Sequence, residues 1–134
     1  EITESLAMQN LEHTISILKR FKDMGVGVSL DDFGKGYSSL NYLKQLPISN
    51  LKIDKTFIHG ITVNSKQAKI AKALISLAHN MDLTVTAEGV ENMTQLEFLI
   101  KENCDIAQGY LFSEPKPAEG LKLTSYEDVI GMIQ

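Results

Sequence analysis

Residues 25–40 read GVGVSLDDFGKGYSSL. A short β-branched run, Val26–Leu30, leads into two adjacent aspartates, Asp31 and Asp32, and then into a turn holding Gly34 and Gly36 and two serines. Runs of this kind favour strands. A strand that delivers carboxylates straight into a glycine turn suits an α/β protein, where ligands bind at the carboxyl ends of parallel strands. Glycines there let the backbone approach a ligand or take turns closed to other residues.

The same grammar extends in both directions. Upstream, Leu11, Ile15, Leu18 and Phe21 recur three or four apart, which predicts a helix that Gly25 stops just after Met24. Downstream, Leu51–Ile53, Leu83–Ala87 and Cys104–Ala107 read as further strands. Ile70, Leu74, Leu77 and Met81 form a second helical stripe. Leu96, Leu99 and Ile100 form a third, with Asn92 and Gln95 placed as a capping pair. A short helix is expected near Ser38–Gln45, ended by Leu46–Pro47, and a last one at Val129, Ile130 and Ile133, with Ser125 and Asp128 at its start. Glu1–Glu4 reads as the tail of a preceding strand, and Pro115 and Pro117 mark a loop. Strands alternating with helices predict an α/β fold of about four parallel strands with helical crossovers.

The chain has 134 residues, enough for one domain with one core. Its net charge of −4 argues against direct DNA binding, which needs a basic surface. A single cysteine, Cys104, excludes an intrachain disulfide and fits a reducing, cytoplasmic setting. No apolar run has the length of a membrane span, and no signal-peptide pattern opens the chain. It starts at Glu1 without an initiator methionine and is read as a piece of something longer.

Each expected strand ends on polar groups: Asp31 and Asp32, then Lys52 and Asp54, then Glu88, then Gln108, with Glu1 in the same series. Carboxylates gathered at one rim repel one another unless a cation sits among them. Oxygen-only ligands suit Mg²⁺, Mn²⁺ or Ca²⁺. Adjacent aspartates can serve two neighbouring ions in phosphoryl transfer, and a nearby lysine can balance phosphate charge. Taken singly, each feature has a plainer reading. Asp31–Asp32 suits a turn or cap, Lys52 and Asp54 an ion pair along one strand face, and Glu88 and Glu91 a helix N-terminus. Gln108 and Tyr110 suit structural hydrogen bonds. His13, His59 and His79 read as lone surface histidines, and Cys104 as packing. The joint placement of the acids at successive strand ends outweighs the plainer readings for them.

Five segments, EITES, DDFGKGYSSL, LKIDKTFI, TAEGVEN and QGYLFSEP, occur in this order. From Glu1 to about Leu121 the chain resembles the C-terminal half of EAL domains, bacterial phosphodiesterases that hydrolyse cyclic di-GMP. The resemblance implies a fragment of a TIM-like (β/α) barrel. It implies Glu1, Asp31, Asp32 and Glu88 as ligands of Mg²⁺ or Mn²⁺, and Lys52 and Glu88 as catalytic groups, the first touching the nucleophilic water and the second a general base. Glu4 is implied as the support of the loop after Asp32, with Asp54, Glu91 and Gln108 in supporting or substrate-binding positions. The implied reaction is in-line attack of water on one phosphodiester of cyclic di-GMP, giving linear pGpG.

Two departures qualify that expectation. Lys35 stands where family members usually carry threonine, and is expected to pair with Glu4 or with phosphate, or to disturb the loop. The Glu-Ala-Leu signature and the asparagine motif of the next strand, which hold two further metal ligands, are absent from the sequence. The isolated chain is therefore expected to bind metal weakly and turn over negligibly. A degenerate module that binds the nucleotide or a protein is the alternative. The exposed edges of half a barrel are expected to drive homo-oligomerisation.

Overall fold

The computed structural model describes residues 1–35, 40–62 and 65–120. Its elements alternate as the sequence predicts. They are β1 (Ile2–Thr3), α1 (Glu4–Gln9), α2 (Leu11–Asp23), β2 (Ser29–Phe33), α3 (Leu40–Leu43), β3 (Asn50–Ile53), α4 (Lys55–Ile58), α5 (Lys66–His79), β4 (Thr84–Glu88), α6 (Met93–Lys101) and β5 (Ile106–Gln108), followed by a 3₁₀ turn at Ala118–Gly120. The five strands form one sheet, all neighbours parallel, in the spatial order β1-β2-β3-β4-β5. Order in space equals order along the chain, which makes the sheet an arc of a (β/α) barrel.

Three strands begin later than the apolar runs suggested, whereas β3 begins one residue earlier, at Asn50. The first begins at Ser29 rather than Val26, because Val26 is exposed and Gly25–Val28 form the connection leaving α2. Asp31 and Asp32 thus sit inside β2, and Glu88 and Gln108 close β4 and β5. Two short helices, α1 and α4, escaped the periodicity; four to six residues are too few to show a stripe. The expected Ser38–Gln45 helix is described only as Leu40–Leu43, and the expected last helix lies outside the described residues.

Capping follows the sequence closely. Asn92 accepts from Gln95 N–H at 3.1 Å, while the Gln95 side chain accepts from Asn92 N–H at 3.3 Å and Glu91 N–H at 2.7 Å, a reciprocal box that starts α6. Gly25 takes φ +76 directly after the α2 cap. The core lies between the sheet and the helices. Leu30, Leu51, Ile53, Val85 and Ala87 are fully buried on the strands, under Ala71, Ile75 and Ala78 of α5 and Leu99 of α6.

The opposite face of the sheet is polar. Asn50 donates to Thr84 Oγ1 at 2.9 Å and accepts from the Thr86 hydroxyl at 3.2 Å, and Thr84 donates to Ser49 C=O. Every buried side-chain nitrogen and oxygen among the described residues has a partner. His59 and His79, read as lone histidines, both have acidic partners. His59 meets Glu91 at 3.2 Å, and His79 meets Asp105, whose Oδ2 also accepts from Val85 N–H and so fastens the start of β5 to β4. Cys104 packs with its thiol toward the carbonyls of Val85 and Ile106, and burial pushes its pKa up to about 11.

Candidate active site

Strand register explains how distant acids meet. Thr3 pairs with Asp31, Lys52 with Thr86, and Glu88 with Gln108. Side chains two apart on a strand share a face, so Glu1 lies on the side of Thr3, and Glu88 on the side of Thr86. The side chains of Glu1, Asp31, Lys52 and Glu88 converge there. Lys52 Nζ lies 3.1 Å from Glu1 Oε1, 3.5 Å from Asp31 Oδ1 and 2.7 Å from Glu88 Oε1.

Only 8% of the Lys52 side chain is exposed. Burial would lower its pKa, but hydrogen bonds to Glu88 and Glu1 and the charges of Glu88 and Asp31 outweigh it, so the ammonium is held well above its usual value. Three carboxylates against one ammonium leave the cluster negative. The suggested pairing of Lys52 with Asp54 does not occur; the three neighbouring acids claim the ammonium.

Asp32 leaves the cluster. The β2–β3 register shifts between Leu30 and Phe33, and Asp32 takes φ +58. This left-handed residue redirects the chain. Asp31 Oδ1 accepts the Asp32 N–H at 2.9 Å, and Asp32 Oδ1 accepts from Lys35 Nζ at 2.7 Å. Lys35 also reaches Asp54 Oδ2 at 2.8 Å. It does not pair with Glu4, which instead accepts the Gly34 N–H at 3.0 Å. Gly34 itself has φ +99 and lies so close to the Phe57 ring that a Cβ would approach it to 2.7 Å. Gly34 and Lys35 are therefore held by groups of α1, α4 and the α4 cap.

Asp54 is the N-cap of α4, accepting from Thr56 N–H at 2.9 Å. Burial would raise its pKa; the hydrogen bonds from Lys35 and Thr56 prevail and lower it from 3.8 to about 2. Glu91 faces His59 beyond the end of β4, and Gln108 ends β5 beside Glu88, neither in contact with Lys52. Gly109 packs against the Val90 backbone with no room for a Cβ, while Val90 N–H donates to Gln108 C=O at 3.0 Å. Residue spacing could not reveal the Lys35 bridge, since it depends on the bend at Asp32.

The oxygen-only donor set fits a hard divalent cation. Glu1, Asp31 and Glu88 already aim oxygens at one positively charged atom. Among the described residues, no three His, Cys, Asp or Glu side chains are arranged to hold an ion directly. The lysine occupies the point on which they converge.

Comparison with known proteins agrees with this layout. The EAL domain family matches residues 1–115. Cyclic di-GMP phosphodiesterase NbdA of Pseudomonas aeruginosa is 47% identical over 122 residues, covering 91% of this chain and 16% of that protein. The solved PaMucR phosphodiesterase in complex with c-di-GMP superposes with a TM-score of 0.82 at 47% identity, over 88% of this chain and 54% of that one. The manganese/cy-diGMP complex of BlrP1 from Klebsiella pneumoniae gives a TM-score of 0.76 at 28% identity, over 84% of this chain and 29% of that one. The chain thus spans about half of the solved PaMucR chain and about a sixth of NbdA. Sheet, rim and motifs together place the chain in the EAL domain family.

Proposed function

We propose that this chain supplies the C-terminal half of an EAL domain that hydrolyses cyclic di-GMP to linear pGpG with Mg²⁺ or Mn²⁺. The observation that carries this reading is the meeting of Glu1, Asp31 and Glu88 around Lys52 Nζ. The names of the relatives support it: NbdA is a cyclic di-GMP phosphodiesterase, PaMucR was solved with c-di-GMP, and BlrP1 with manganese and the nucleotide.

Glu1, Asp31, Asp32 and Glu88 would hold the cations. Bound ions lower the pKa of the attacking water and neutralise phosphate charge. Lys52, held as an ammonium, would orient the attacking water or stabilise charge on the phosphate in the transition state, and Glu88 would accept the water's proton. Glu4 and Asp54 would hold the loop after Asp32, and Glu91 and Gln108 would take supporting or nucleotide-contacting roles. The remaining ligands come from the other half of the domain, so this chain alone turns over negligibly.

The test is chromatographic detection of pGpG from cyclic di-GMP with Mn²⁺, using the intact domain and the 134-residue chain. Robust turnover by the intact domain, with a loss of about 100-fold or more in Lys52→Met and Glu88→Gln, fits the reading. Nucleotide binding without turnover would favour a non-catalytic module instead, a reading to which the engagement of Asp32 by Lys35 lends support. Neither binding nor turnover would sink both.

Cytoplasmic residence is part of the proposal, and no helix among the described residues is long and apolar enough to cross a membrane. Association is proposed as well. Beside β1 runs a groove that includes Ile2, Leu6, Ile17, Phe21 and Val26, with Leu6, Ile17, Phe21 and Val26 exposed. Light scattering on the eluted protein tests this, and a monodisperse monomer would count against it.

A further inference from the structure

We propose that Lys35 is a built-in cation that holds the place of a divalent ion at Asp32. Its ammonium bridges Asp32 Oδ1 and Asp54 Oδ2 at 2.7 and 2.8 Å. An ion taking Asp32 Oδ1 as a ligand must displace this group. The inference rests on the reading above that Asp32 is a cation ligand.

Three observations carry it. First, the bridge joins two elements: Asp32 lies in β2, and Asp54 caps α4. Lys35 therefore ties Asp32, which the backbone already turns away from the Lys52 cluster, to the cap of α4. Second, the two acids differ in freedom. The Asp54 side chain is 4% exposed and tied to Thr56, whereas Asp32 is 42% exposed and Lys35 is 47% exposed. The lysine can swing out into water while Asp54 stays. Third, the backbone anchors are independent of the lysine. Gly34 N–H is held by Glu4, and Lys35 N–H donates to Asp32 C=O at 3.3 Å. Loss of the ammonium leaves the Gly34 and Lys35 backbone pinned but two carboxylates without their cation.

Lys35 and a divalent ion are then competitors for the Asp32 carboxylate. Competition of this kind is reciprocal: whatever the lysine costs ion binding, the ion costs the lysine bridge. A methionine at position 35 keeps most of the side-chain length and removes the charge. An arginine keeps the charge.

The experiment is Mn²⁺ titration of the full chain, followed by electron paramagnetic resonance and calorimetry, with thermal unfolding in EDTA and in Mn²⁺. Lys35→Met should bind Mn²⁺ about tenfold tighter, or take up one ion more, because a positive charge that competes for the same carboxylate is removed. It should also melt lower in EDTA than the parent and regain that loss in Mn²⁺. Lys35→Arg should bind Mn²⁺ as the parent does. Equal Mn²⁺ binding by the parent and Lys35→Met, with binding abolished by Asp31→Asn, would overturn the inference while leaving the metal reading intact. A melting loss in Lys35→Met that Mn²⁺ does not restore would also overturn it. Absence of Mn²⁺ binding in every variant would overturn both.

Discussion

Glu4 Oε2 accepts the Gly34 N–H at 3.0 Å, joining the first turn of α1 to the loop that follows β2. Glu4 is buried, so this carboxylate is held against the loop rather than in water. Glu4→Ala removes the acceptor from a partly buried amide and should cost about 1–3 kcal/mol in urea unfolding. Glu4→Gln keeps a carbonyl acceptor and should cost less than half as much. Amide exchange at Gly34 gives a local readout: it should accelerate in Glu4→Ala and stay slow in Glu4→Gln.

Lys52 is the shared ion-pair partner of three acids from three other strands or their flanks. Lys52→Met leaves those carboxylates facing one another and should destabilise the fold by about 3–5 kcal/mol near neutral pH. In the parent protein the ammonium's pKa is raised, so its contribution is fully present below the ordinary 10.5 and fades only above it. Stability of the parent should accordingly show no Lys52-linked decline between pH 7 and 9.

Asp54 titrates at about 2 instead of 3.8. A carboxylate with a lowered pKa contributes stability above its unfolded value and loses it as pH falls toward the folded one. That contribution should be complete above about pH 5 and disappear between about pH 4 and 2. Asp54→Asn should flatten this part of the acid limb while still capping α4, because its carbonyl can accept from Thr56. Chemical unfolding at closely spaced pH values checks it.

Gly109 admits no side chain. A Cβ there would run into the Val90 backbone, whose N–H and C=O bond to Gln108 and Leu111. Gly109→Ala must push β5 off the β4–α6 connection and should cost about 1–3 kcal/mol. Its circular dichroism should remain that of a folded chain, while amide exchange at Val90 and Leu111 should rise selectively.

Alternation of strands and helices was legible because apolar runs and helical stripes have distinct periods. The α6 capping box and the stop of α2 at Gly25 were legible too, since both are local. The common rim could be read from strand-end acids once parallel order was assumed, as Thr3–Asp31 and Lys52–Thr86 pairing now explains. What sequence could not show was the partition of the two aspartates. Neighbours on a regular strand point to opposite faces, and Asp32 breaks that regularity with φ +58. Its partner then depends on where the bent loop sets Lys35. The pairings of His59 with Glu91 and His79 with Asp105 were hidden for the same reason, being long-range contacts with no periodic trace.

The sheet's layout has a consequence for biosynthesis. Because every strand adjoins the one made just before it, a ribosome emitting this polypeptide presents each new strand to a template already in place. Among the described residues, no strand has to thread back between finished neighbours. Lys52 emerges after Glu1 and Asp31 but before Glu88, so the nascent cluster gathers its counter-charge before its last acid arrives.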